Sequence, residues 1–167
     1  FMWFGTQYGL NRYDGSSFRL FAHDPRNPRS FSGVYITALF NDRDGRLWVG
    51  CEQFLERFEP RTEAFTRYPI RKVSHISQDS AGLLWLATGS GLWSLDPATG
   101  QTRQYSHDPN EPLSLSSSEV KSSGEDREGR FWVASSEGLD EFDRKTGKVN
   151  LHVPLSEPLP EFSFYED

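Results

Sequence analysis

The side chains best able to move protons or hold a metal in this chain are four histidines, His23, His75, His107 and His152. Their contexts differ. His23 and His107 stand in matching His-Asp-Pro segments, His75 in a short strand-like stretch, and His152 at the end of a more soluble one. That scatter gives no ligand set with metal spacing, and no metal or other cofactor is expected. Ser/His/Asp sets can be picked from any serine-rich chain, but no Gly-x-Ser-x-Gly phrase is present to expose a nucleophile. Asp44 and Glu128 fall in turns and read as solvated carboxylates rather than an acid–base pair. Recognition is the better-supplied chemistry. Tyr8 and Phe54 offer aromatic faces for stacking, and Gln7, Gln53 and Glu137 suit hydroxyl groups. With Ser90, Trp93 and His75 they make up the candidate ligand-binding residues.

Most of these residues hang on a repeated phrase. Trp48, Trp85 and Trp132 each follow an aspartate (Asp42, Asp79, Asp126) and a glycine (Gly45, Gly82, Gly129) at fixed distances, and Trp3 opens the chain at the same phase. Past each tryptophan the match continues with a small residue (Gly5, Gly50, Ala87, Ala134), then Thr6, Cys51, Thr88 or Ser135. Further on stand Leu10, Leu55, Leu92 and Leu139, then Asp14, Glu59, Asp96 and Asp143. The tryptophans recur at intervals of 45, 37 and 47 residues. A period in this range marks a solenoid, array or propeller.

Each repeat reads as four short strands. In the clearest copy, Val120 to Glu125 is a polar strand and Asp126-Arg127-Glu128-Gly129 a tight turn. Phe131 to Ser135 is an apolar run of strand length, Leu139 to Phe142 alternates as a half-buried strand does, and Lys148 to His152 is a soluble last strand. Helical periodicity is absent, so the fold is all-β. A small sheet with two apolar faces cannot bury both alone, and radial stacking around an axis solves this as a β-propeller of about four blades. The phased tryptophans would wedge between blades. Approximate repeats are 1–36, 37–72, 73–119 and 120–160, with 161–167 starting another blade. Asp167 falls at the aspartate phase, so the chain reads as a piece of a longer protein.

Composition sets the outer bounds. With 25% charged and 35% hydrophobic residues, the 167-residue chain is globular. A net charge of −6 argues against a nucleic-acid partner. No stretch approaches the roughly 20 apolar residues that cross a bilayer, so direct membrane insertion is not expected. Cys51 alone makes no internal disulfide and reads as a small buried strand residue.

The phrases Met2-Trp3-Phe4-Gly5-Thr6-Gln7-Tyr8-Gly9-Leu10 and Asp42-Arg43-Asp44-Gly45-Arg46-Leu47-Trp48-Val49-Gly50 resemble the two-component regulator propeller repeat. So do the linkers His23-Asp24-Pro25-Arg26-Asn27-Pro28 and His107-Asp108-Pro109-Asn110-Glu111-Pro112. The resemblance covers essentially the whole chain. It implies part of a seven-bladed propeller in the extracytoplasmic, periplasmic sensor region of a bacterial hybrid two-component protein, with glycan fragments as typical signals. On that analogy Tyr8 and Phe54 would stack on sugar faces. The loops between second and third strands, together with the blade-to-blade linkers, would form the binding face.

Departures from the pattern carry information too. Phe54 replaces a turn glycine, the linker before Val73 is shorter by roughly ten residues, and Trp93 falls where Asn11, Glu56 and Asp140 stand elsewhere. In the last linker Pro154, Pro158 and Pro160 replace the Asp-Pro-x-x-Pro form. The extra aromatic, Trp93, is either blade packing or a sugar platform. His75 and Lys121 are the only candidates for a catalytic channel mouth. The favoured function is therefore a sensor propeller fragment that recognises an oligosaccharide or another small ligand, completed by further blades or by self-association. A free-standing protein-interaction scaffold is the alternative, and a propeller lyase or hydrolase a third.

Overall fold

A computed structural model describes residues 1–33 and 35–155; the expected strand over 162–167 and the prolines Pro158 and Pro160 lie outside them. Among the described residues every element is a strand. Blade 1 holds β1 (Met2–Thr6), β2 (Gly9–Tyr13) and β3 (Phe18–Phe21). Blade 2 holds β4 (Ile36–Asn41), β5 (Leu47–Cys51), β6 (Leu55–Glu59) and β7 (Ala64–Tyr68). Blade 3 runs through β8 (Val73–Gln78), β9 (Leu84–Thr88), β10 (Gly91–Leu95) and β11 (Thr102–Tyr105). Blade 4 is β12 (Val120–Glu125), β13 (Phe131–Ser135), β14 (Gly138–Asp143) and β15 (Lys148–Pro154). Each is an antiparallel meander in chain order. The three strands of blade 1 correspond to the second, third and fourth strands of the others.

The chain forms two compact units, residues 1–73 and 74–167, each with its own core. In the first, Trp3 of blade 1 meets Phe58 of blade 2 edge-on at 5.0 Å, and Phe21 meets Phe58 at 5.2 Å. Gly5 is small for a reason visible here. A Cβ at Gly5 would come 2.4 Å from a methyl of Ile36, on the first strand of the next blade. In the second unit Trp85 of blade 3 lies 4.7 Å from Phe131 and 5.8 Å from Phe142 of blade 4, with Ala87 and Val120 in the same core. Trp3 and Trp85 thus wedge between blades, as the repeat predicts. Burying one such ring removes roughly 150–250 Å² from water, worth several kcal/mol at about 25 cal/mol/Å².

What aims the indole is the aspartate of the same phrase. Asp42, Asp79 and Asp126 accept a hydrogen bond from the Nε1 of Trp48, Trp85 and Trp132 at 2.9, 2.8 and 2.8 Å. Their other oxygen closes the tight turn. Asp42 Oδ1 accepts from the amides of Asp44 and Arg46, Asp79 Oδ1 from Leu83, and Asp126 Oδ1 from Glu128 and Arg130. The turn glycines take positive φ, 78° at Gly45, 91° at Gly82 and 79° at Gly129, a region that β-carbons disfavour. Sequence reading anticipates the turn role of these aspartates but not the indole bond.

A cation adds a second tie in blade 4. Arg144 donates to Glu125 at 2.9 Å and pairs with Asp79 at 3.1 Å, while its guanidinium lies over Phe131. Ser80 donates to the same Glu125 through its amide and its hydroxyl. These bonds, the Arg144 bond foremost, hold the Glu125 carboxyl down at about 2 from an ordinary 4.5.

Two outcomes follow from these contacts. Asp79→Ala strands the buried Nε1 of Trp85, the Leu83 amide and one contact of Arg144, so urea unfolding should show a loss of about 3 kcal/mol. Asp126→Ala should cost less, because Trp132 is only half-buried. Equal losses would mean that the indole bond contributes little. Because the folded pKa of Glu125 is depressed, its contribution is complete above about 4.5 and disappears as pH falls to about 2. The stability gap between the parent chain and Glu125→Gln should close over that window.

Candidate functional site

Four loops join second to third strands: Gln7-Tyr8, Glu52-Gln53-Phe54, Gly89-Ser90 and Ser136-Glu137. In three blades a hydroxyl at the strand end secures the loop. Thr6, Thr88 and Ser135 donate to the carbonyls of Gly9, Gly91 and Gly138, and accept from the amides of Tyr8, Ser90 and Glu137. Each glycine is needed, since a Cβ on Gly91 or Gly138 would lie 2.2 Å from a carbonyl oxygen of the neighbouring strand. Blade 2 departs from this. Cys51 takes the hydroxyl position, Phe54 takes that of the glycine, and the amide of Cys51 donates to the carbonyl of Phe54. Burial, with the nearby Glu56 carboxylate, pushes the Cys51 thiol up to about 12.

The predicted residues fall in three kinds of place. Tyr8 is 76% exposed at its loop tip, and Gln7, Ser90 and Glu137 are also exposed. Gln53 and Phe54 are half-buried, with the Arg67 guanidinium 4.9 Å from the Phe54 ring. Trp93 is not on a loop. It sits half-buried in β10, opposite Leu86 and Gln104, and Gln104 donates to the Ser90 carbonyl at 2.9 Å. His75 is on β8, the edge strand of its sheet, with a buried Nδ1 that has no hydrogen-bond partner. Burial pushes its pKa down, which favours the neutral ring.

The linkers reach the same end of each sheet as these loops. The Lys72 amide donates to Glu52, and the Ser117 hydroxyl meets that of Ser136 at 3.4 Å. Both Asp-Pro-x-x-Pro linkers fold identically. The Asp24 and Asp108 amides donate to the hydroxyls of Ser30 and Ser114, while Phe31 and Leu115 plug the cores. His107 Nδ1 bonds within its linker to Leu115 at 2.8 Å, the local role its place in the repeat suggests.

Two functional carboxylates escaped the sequence reading. Glu56 and Asp140 are fully buried. Each receives the amide and hydroxyl of a linker serine: Ser32 at 3.2 and 2.7 Å on Glu56, Ser116 at 2.8 and 2.9 Å on Asp140. From the outermost strand Arg67 completes Glu56 at 3.0 Å, and His152 completes Asp140 at 2.7 Å. Buried charge is tolerated only when satisfied in this way. The available signal was the same 24-residue offset from serine to carboxylate in both blades.

Several solved structures share this fold. The extracellular domain of BT3049, a candidate hybrid two component system from B. thetaiotaomicron, aligns at a TM-score of 0.73 and 23% identity, over 89% of this chain and 21% of that one. That of BT4673, from the same organism, aligns at 0.68 and 22%, over 82% and 19%. Virginiamycin B lyase from Staphylococcus aureus aligns at 0.62 and 12%, over 91% and 50%. The chain is therefore built of β-propeller blades, and it spans about a fifth of the length of the two extracellular domains. Residues 30–53 match the family model described as two component regulator propeller, so the resemblance carried by Asp42 to Gly50 holds. No curated protein matches the chain. No helix among the described residues is long and apolar enough to cross a membrane.

If Asp140 latches the linker, Asp140→Ala should speed hydrogen exchange of the amides at 107–116 by about tenfold, the size of one lost charge-assisted bond. Unchanged exchange there would show that the Leu115 plug and the Val149 bond to the Leu113 carbonyl hold the linker without Asp140.

Proposed function

We propose that the chain is part of the extracytoplasmic recognition propeller of a bacterial two-component signalling protein, and that its loop-bearing end meets an oligosaccharide or another small ligand. The observation that carries this reading is the division of labour at that end. Loops with unlike tips (Gln7-Tyr8, Ser90, Glu137) stand on hydroxyl-secured roots beside the linkers, and Gln53-Phe54 closes through the main chain. A fixed scaffold with varied loops is how recognition sites are commonly built. The match of residues 30–53 and the likeness to two extracellular domains support the signalling context. On blade 1, Phe4, Phe18 and Leu20 are 39, 65 and 54% exposed. Patches of this kind suit a further blade or a second copy as cover.

The test is binding of soluble oligosaccharides to the chain, read by intrinsic fluorescence, with Tyr8→Ala and Phe54→Ala beside the parent. Loss of a stacking ring should weaken binding several-fold, by roughly 1 kcal/mol or more. Binding that ignores both substitutions would remove these loops from the site, and no binding by any sugar tested would defeat the glycan reading.

A further inference from the structure

Where β3 runs into the first linker, the surface opens into a groove of about 430 Å³, within the range of small-ligand sites. Phe21, Phe31 and Phe65, all buried, lie beneath it. Its walls carry Arg19, Asp24, Asn27, Thr62 and Glu63.

The matching corner of blades 3 and 4 opens less widely, into a pocket of about 250 Å³ lined by Asp108, Glu111, Ser114 and His152. There Tyr105, at the phase of Phe21, lies against the turn at Gly147, and a Cβ on Gly147 would come 2.8 Å from its ring. The tyrosine occupies the part of the corner next to that turn. In blades 1 and 2 the ring at that phase, Phe21, packs into the core against Trp3, Phe58 and Phe65. The residue at the phase of Gly100 and Gly147 is Glu63, held at a φ of 52°. That left-handed conformation suits glycine better than a residue with a β-carbon. Its carboxylate is set between Arg12, at 3.3 Å, and Arg19.

We propose that this groove is a binding site for a neutral ligand bearing vicinal hydroxyls. Glu63 and Asp24 are acceptors, Arg19 and the Asn27 amide are donors, and the Thr62 hydroxyl can be either. An anion would meet the two carboxylates and a cation would meet Arg19. A diol donates to the first and accepts from the second. None of Gln7, Tyr8, Gln53 and Phe54 lines the groove, so this site does not depend on the loop-end reading.

Nitrogen-15-labelled chain is titrated with xylitol, glucose and maltose, and with succinate and putrescine as charged probes. The neutral probes should move the amide signals of Asn27, Ser30, Thr62 and Glu63, and the charged probes should leave them in place. Glu63→Gly suits the turn backbone and should melt no lower than the parent, yet it should abolish the shifts. Thr62→Val should weaken binding several-fold. A response to xylitol and glucose supports free polyols, and one to maltose alone supports the end of a longer sugar; either upholds the site. Three results would overturn it: no groove shifts with any neutral probe, larger shifts with a charged probe, or unchanged binding in Glu63→Gly. Signals at residues 7, 8, 53 and 54 report the loop end separately, so failure of one site is distinguishable from failure of the other.

Discussion

A carboxylate hydrogen-bonded to an indole is the interaction on which each of blades 2 to 4 depends. One oxygen of Asp79 accepts from the Leu83 amide and so closes the turn between β8 and β9. The other fixes Nε1 of Trp85, and the ring then reaches Phe131 and Phe142 of the next blade. The turn, the hairpin and the contact between blades share one residue. Desolvating a charge costs several kcal/mol, so the arrangement persists only because donors surround the carboxylate, with Arg144 supplying the countercharge. Ring burial gives the larger stabilisation, and the aspartate decides where it is applied.

The same logic operates at the linkers. Glu56 and Asp140 are held by serines from the linker and by Arg67 or His152 from the outermost strand, so one buried carboxylate joins three segments. Blade 3 shows the rule by exception. The segment leading into it, Pro69-Ile70-Arg71-Lys72, offers no serine, and Trp93 stands at the carboxylate phase. A carboxylate buried there without its serine would lack two of its donors; an aromatic asks for none.

Much of the framework was legible in the sequence, because alternation and phased tryptophans report which faces are apolar. The four sheets, the tight turns at Asp42, Asp79 and Asp126, the roles of Trp3 and Trp85, and the altered loop at Phe54 could all be read there. The indole bonds could not. The six-residue spacing from aspartate to tryptophan was plain, but spacing alone does not say that a side chain folds back across its own hairpin. Glu56 and Asp140 were hidden for a related reason: an acidic residue in an alternating strand reads as solvent-facing until the linker that covers it is placed. Trp93 and His75 lie on β10 and β8, where the repeat phase and the strand-like stretch around His75 put them.

The loops show how a repeat can vary without losing register. In blades 1, 3 and 4 a strand-end hydroxyl accepts one loop amide and donates to the glycine carbonyl that ends the loop. Both ends of each two-residue tip are thereby fixed, and of the tip side chains named only Ser90 meets the anchoring hydroxyl, at 3.3 Å from Thr88. Residues as unlike as Tyr8, Ser90 and Glu137 fit the same geometry for this reason. Blade 2 cannot use that device, because a buried thiol is a poor donor and Cys51 is packed against Gly33. Its loop closes through backbone alone, from the Cys51 amide to Phe54, and the Glu52 carbonyl takes the Lys72 amide of the following linker. Leu55 follows Trp48 at the same distance as in the other blades, so Phe54 stands where they carry Gly9, Gly91 and Gly138. Phe54 is a half-buried ring beneath Arg67, whereas Tyr8 is exposed at its loop tip.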